Sequence, residues 1–193
     1  MGLFGCKKEI WLVVGLGNCE DKYARTRHNS GFSAVDALAA KLGLTFNRKK
    51  CASLLAEGRH GDKKLVLAKP QTYMNASGTA VSGLVSFYKV PLDHVVVICD
   101  DVDLPEGALR IREKGGPGTH NGMRDVVLCL GGEGFPRVRI GVGTPPPGWD
   151  LADYVLGNFT SDMSAVFDAA ADAALCLVDE GAAKAQQKFN RKG

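Results

Sequence analysis

Apolar residues follow two alternating rhythms along this chain. Runs such as "IWLVVG" at 10–15 and "HVVVICD" at 94–100 are apolar at nearly every position, the pattern of strands buried on both faces. Elsewhere the apolar positions recur at helical spacing. Phe32, Val35, Leu38 and Leu42 form one stripe over residues 30–42, with Gly43 as its stop. "KLVLAKP" at 64–70 reads as a further strand closed by Pro70, and Val81, Leu84, Val85 and Tyr88 mark a helix that stops near Pro91. "ALRIREK" at 108–114 and "RVRIGVG" at 137–143 alternate apolar with basic residues, as half-exposed strands do. A glycine-rich loop and a helix over 121–130 lie between them. An alanine-rich helix is expected over 161–178, and "KAQQKFNRKG" at 184–193 reads as a basic, mobile tail.

Strands alternating with helices predict an α/β protein, a single-domain three-layer sandwich with helices flanking one central sheet. The domain is expected over 10–183, with a frayed extension over 1–9 and the tail at 184–193. No repeat interrupts it, and "TPPPGWD" is the one stretch that reads as a linker. The formal charge of +3 permits a polyanionic partner without arguing for one. Six cysteines are scattered with no C-x-x-C pair, so they read as reduced thiols of a cytoplasmic protein. No apolar run approaches the ~18 residues of a membrane span. "MGLFGC" begins like a lipidation signal but has Cys6 where Ser or Thr belongs, and reads as a plain extension.

In α/β sheets functional residues gather at the carboxyl ends of strands. That rule selects Asn18, Asn75 and Asp100. "GLGNCE" has Glu20 where a dinucleotide-binding turn needs its third glycine. The phosphate-loop, G-x-S-x-G and H-E-x-x-H patterns are absent, which removes the commonest nucleotide, serine-hydrolase and zinc-protease readings. "DDVDLP" at 100–105 is open to three readings: a magnesium site, a carboxylate that orients a histidine, or a solvated acidic turn. Asp100 continues a buried strand and needs a partner, for which His28 is a candidate. The loop "KGGPGTHNGMRD" at 114–125 offers backbone N–H groups to an anion. Arg110 and Arg112 share one strand face, as do Arg137 and Arg139. If those strands pair, with Lys114 and Arg124 nearby, they make a basic patch suited to phosphates, the plain alternative being a solvated face. His28 has no His or Cys at ligand spacing, so no metal is expected there. Pattern alone leaves it open between a structural residue and a base.

"VVGLGN", "YARTRHNSGF", "KPQTYMNASG", "DDVDLPEGALRI", "GTHNGMRD" and "RVRIGVG" occur in this order over nearly the whole chain. In this the sequence resembles the bacterial-type peptidyl-tRNA hydrolase family. The resemblance implies a mixed, largely parallel sheet. It also implies metal-independent and cofactor-free hydrolysis of the ester joining a peptide to the tRNA 3′ end, by a monomer. By matching positions it implies His28 as the base that activates water and Asp100 as the carboxylate that orients it. Asn18 would discriminate N-blocked from free aminoacyl-tRNA, with Tyr23, Tyr73, Asn75 and Asn121 touching substrate. Arg110, Arg112, Lys114 and Arg139 would hold the acceptor arm through phosphates. The chain departs from the family at Cys19-Glu20, Pro117, Thr119 and Thr144. The resemblance also extends to RNA-binding splicing factors of plastids that keep the fold and act through protein partners. A third reading, a metal-dependent phosphate or nucleotide enzyme, would use Asp100, Asp101 and Asp103.

Overall fold

The computed structural model describes residues 9–190. In chain order it runs β1 (Ile10–Gly15), α1 (Ser30–Leu42), β2 (Arg48–Lys50), β3 (Ser53–His60), β4 (Lys63–Pro70), α2 (Ser77–Tyr88) and β5 (Val95–Asp101). It continues through β6 (Leu109–Arg112), α3 (Asn121–Leu130), β7 (Arg137–Gly141), α4 (Leu151–Val155), α5 (Ser164–Glu180) and α6 (Ala182–Phe189). Among the described residues the strands form one sheet of seven in the order β2-β3-β4-β1-β5-β7-β6. The central four, β4, β1, β5 and β7, are parallel, and the pairings at both edges are antiparallel.

The continuous apolar runs are explained by two cores, one on each face of the sheet. Along β1, Trp11 and Val13 enter the core beneath α1 and α5, whereas Leu12 and Val14, with Leu16 just past the strand, enter the core shared with α2. In β5, Val96 and Ile98 take the first side and Val95, Val97 and Cys99 the second. The two-residue period thus divides one run between two helical layers. Each wholly buried Val or Leu contributes roughly 1.5–3 kcal/mol to that arrangement.

Helix and strand approach closely where β1 meets the start of α1. A side chain on Gly31 would lie 2.4 Å from the Ile98 carbonyl and the Leu16 nitrogen, and one on Gly15 only 2.1 Å from the Gly31 carbonyl. The close packing that a dinucleotide turn obtains from its third glycine is obtained here from Gly15 and Gly31. The consequence is that His28, just ahead of α1, is held against the carboxyl end of β5.

Two expectations are corrected. Much of the stretch expected to be a mobile tail forms α6, with Ala185 fully buried and Phe189 packed against the same core. Asn190 then bonds both backbone groups of Ile111 in β6. Arg137, expected on a half-exposed face, is buried. Its guanidinium bonds the carbonyls of Gly115, Gly116, Glu133 and Phe135. It anchors the glycine-rich loop and is not free to meet a phosphate. Apart from Glu9, the extension expected over 1–9 lies outside the described residues, as do residues 191–193 of the tail.

Candidate active site

The carboxyl ends of β1 and β5, the turn after β4 and the start of α3 enclose a cleft of about 550 Å³. Its lining includes Asn18, Tyr23, His28, Tyr73, Asn75, Asp100, Asn121 and Arg139, eight of the eleven residues to which the resemblance gives a role. Arg110 lies outside the lining as the cross-strand neighbour of Arg139, and Arg112 stands opposite Arg137 farther along the same face. Lys114 borders a separate hollow with Trp11 and Asp93.

Asn18 is placed by a residue that no sequence pattern singles out. The buried amide of Asn29 accepts from the Asn18 N–H at 2.9 Å and donates to the Asn18 carbonyl at 2.9 Å. Both backbone groups of the turn are thereby occupied, and the Asn18 side chain is left to the cleft. The Cys19-Glu20 departure falls just beyond this clamp, where Glu20 pairs with Lys22 at 2.9 Å.

His28 lies in a single helical turn, Arg27–Asn29, immediately before α1. Its Nδ1 donates to Asp100, with Oδ1 at 3.0 Å and Oδ2 at 3.1 Å. The same carboxylate has a second imidazole partner, because His120 Nε2 lies 2.9 Å from Oδ1. His120 caps α3, and its Nδ1 accepts from the Met123 N–H at 3.1 Å. A backbone N–H can only donate, so Nδ1 of His120 carries no proton and its Nε2–H points at Asp100. Asp100 is 4% exposed. Burial alone would push its carboxyl up. The imidazoles of His120 and His28 outweigh burial and hold it well below the usual carboxylate range. An ionised Asp100 only accepts, so the proton of neutral His28 sits on Nδ1 and Nε2 keeps a lone pair. The geometry therefore assigns both tautomers.

His120 was missed in the sequence, where "THNG" drew attention to Asn121 alone. A histidine is an unusual helix cap, and no spacing rule pairs it with a carboxylate twenty residues away.

Three donor atoms of His28, Asp100 and His120 lie within 4.8 Å of one another, close enough to consider a divalent ion. The hydrogen bonds oppose it. A metal on Nε2 of His120 would require the ring proton on Nδ1, which already accepts from Met123. Asp101 is no better a ligand, since it accepts from Arg139 at 2.9 Å and from its own turn at 3.0 Å. Cys99 also lines the cleft. Burial, reinforced by the charge of Asp100, pushes its thiol well up, so it is no thiolate nucleophile at neutral pH. What the cleft does offer is an imidazole nitrogen with a free lone pair, able to accept a proton, and the amides of Asn18, Asn75 and Asn121, able to donate to a developing oxyanion.

A family model described as peptidyl-tRNA hydrolase matches residues 12–193. A peptidyl-tRNA hydrolase of Roseiflexus sp. (strain RS-1) is 52% identical, over 94% of this chain and 86% of that protein. One from Chloroflexus aurantiacus (strain ATCC 29366 / DSM 635 / J-10-fl) is also 52% identical, over 94% of this chain and 99% of its own length. The crystal structure of peptidyl-tRNA hydrolase from Acinetobacter baumannii superposes with a TM-score of 0.86 at 35% identity, over 94% of each chain.

Proposed function

This chain belongs to the peptidyl-tRNA hydrolase family and is a hydrolase of the ester bond in peptidyl-tRNA, and from that premise we propose how its cleft performs the reaction. The observation that carries the reading is His28, held by Asp100 through Nδ1 with Nε2 left free in the cleft. Nε2 takes a proton from water as the oxygen attacks the ester carbonyl. The carbonyl electron pair moves to oxygen, where amide donors of Asn75 and Asn121 stabilise it. Collapse expels the ribose oxygen of the tRNA, which recovers the proton from the imidazolium, while Asp100 stabilises the transient cation. No step needs a metal, because a ribose oxygen is a competent leaving group once protonated.

Asn18 recognises the amide of an N-blocked amino acid, offering a donor and an acceptor to the peptide group. Tyr23 and Tyr73 flank the entering substrate. Arg139 meets phosphate at the mouth, and Arg110 and Arg112 continue the basic track for the acceptor arm, while Lys114, at the separate hollow with Trp11 and Asp93, stands apart from it. The enzyme works as a monomer in the cytoplasm and returns tRNA to translation. Among the described residues no helix is long and apolar enough to cross a membrane.

The deciding assay compares N-acetyl-aminoacyl-tRNA with unblocked aminoacyl-tRNA in EDTA. Cleavage of the blocked ester alone is expected. Loss of activity in the chelator would reject the metal-free route, and equal cleavage of both would reject the role of Asn18. A folded enzyme that binds tRNA without cleaving it would favour the RNA-binding relative. The phosphate track is tested separately with Arg110→Glu/Arg112→Glu. KM should rise, and the log–log salt slope of tRNA binding should fall by about one for each phosphate no longer neutralised. An unchanged slope would remove both residues from the interface.

A further inference from the structure

Next to the base in sequence stands a cation that the reaction does not use. Arg27 immediately precedes His28. Its backbone N–H donates to the Gly157 carbonyl at 3.0 Å, and Thr26 bridges to Asn158. Its guanidinium carbon stands 4.3 Å from the Tyr154 ring centre and 5.6 Å from that of Phe159, and Nη1 donates to the Tyr154 carbonyl at 3.3 Å. Tyr154 is fixed in turn, its hydroxyl donating to the Val142 carbonyl at 2.8 Å. Space is reserved for the cation: a side chain on Gly157 would come within 3.1 Å of Nη1.

The element gripped in this way is α4, whose Leu151, Ala152 and Val155 line the cleft with Leu156. This helix packs in neither main core. Tyr154 and Val155 belong to a small separate cluster with Val142, so the grip on Arg27 does much to set where that wall stands. Among the described residues Nε of Arg27 is buried with no hydrogen-bond partner, so the aromatic stack and the Tyr154 carbonyl are what hold the guanidinium.

We propose that Arg27 is a positioning residue, whose clasp on Tyr154 sets the distance between the α4 wall and the turn that carries His28. A substrate resting on α4 is thereby registered against Nε2. The inference rests on the reading of His28 as the base.

The test uses Arg27→Met, which keeps length and apolar packing, Arg27→Lys, which keeps charge without the planar stack, and Tyr154→Leu. kcat and KM on N-acetyl-aminoacyl-tRNA are measured below the melting point of each variant. A displaced base lowers kcat by about tenfold to a hundredfold in Arg27→Met with a smaller change in KM, the cost of a misplaced attacking group. Arg27→Lys falls between this variant and wild type. The Arg27→Met/Tyr154→Leu double variant loses little beyond the worse single one, because both break one clasp. A lowered melting point with kcat within about twofold of wild type, or losses that multiply in the double variant, would overturn the proposal. If Arg27→Met does not fold, Arg27→Lys and Tyr154→Leu carry the same comparison. Undiminished activity in a His28 variant would instead overturn the base reading, which keeps the two failures distinct.

Discussion

His28→Asn is expected to lower kcat by about 10²–10⁴-fold, the contribution of a positioned general base. Asparagine is the informative replacement. Its Nδ2–H can occupy the place of the imidazole Nδ1–H and donate to Asp100, so the buried carboxylate keeps both donors. What disappears is Nε2, the atom that would take the proton from water. KM should change little, since Asn18, Asn75, Tyr73 and the basic track are untouched. The melting temperature should stay closer to wild type than in His28→Ala, which strips one donor from a carboxylate that is 4% exposed. Single-turnover hydrolysis of N-acetyl-aminoacyl-tRNA gives the rate directly. A rate within about tenfold of wild type would mean that water is activated elsewhere.

Asp100→Asn should be comparably damaging for a different reason, and His120 dictates it. Because His120 Nδ1 is occupied by the Met123 N–H, its Nε2–H still requires an acceptor. The new amide therefore turns its oxygen to His120 and its NH₂ to His28. Facing a donor, His28 must move its proton to Nε2, and the lone pair that would attack water's proton is gone. A wrong tautomer of this kind costs about 10⁴-fold in kcat. Raising the pH should not restore it, because the defect is an exchanged proton and not a missing one. Recovery at high pH would refute the assigned tautomers. The carboxylate also links stability to acid. Burial raises its pKa, but the imidazoles of His120 and His28 prevail, so the folded value lies below the unfolded one. The stabilisation is complete above the unfolded value and is lost as pH falls toward the folded one. Acid titration of unfolding should therefore be flatter in Asp100→Asn than in wild type.

The parts of this molecule that were legible in the sequence are those where one residue type answers one physical demand. The bounds of β1, α1 and α3 follow from apolar period and glycine stops. Asn18, Asn75 and Asp100 follow from the strand-end rule, and the pairing of Asp100 with His28 from a buried carboxylate's need for a partner. β2 and β3 were not found, because the turn between them is built from Cys51 and Ala52 at φ 47° and 49°, where a tight hairpin usually announces itself with Asn-Gly. α4 was hidden because it directly follows a proline-rich stretch, although Asp150 caps it by accepting from Ala152 at 2.8 Å and Asp153 at 3.2 Å. α6 carried a signal, Ala182, Ala185 and Phe189 at helical spacing, obscured by the lysines among them. The roles of Asn29 and His120 were beyond reach. Each acts by bonding something distant in sequence, and only the fold brings those partners together. Arg137 shows the reverse hazard, since a strand's alternation assigns a face without saying whether solvent reaches it.

Ile111 carries a consequence beyond the cleft. It lies on β6, the outermost strand of its side of the sheet. The Asn190 side chain accepts from its N–H at 2.6 Å and donates to its carbonyl at 3.0 Å. One carboxamide thus imitates the main chain of a missing neighbour. An open strand is an invitation to edge-to-edge pairing between copies, the route by which sheet proteins aggregate. Here the invitation is already answered from within, by the last described residue of the chain, and α6 serves as the arm that delivers it.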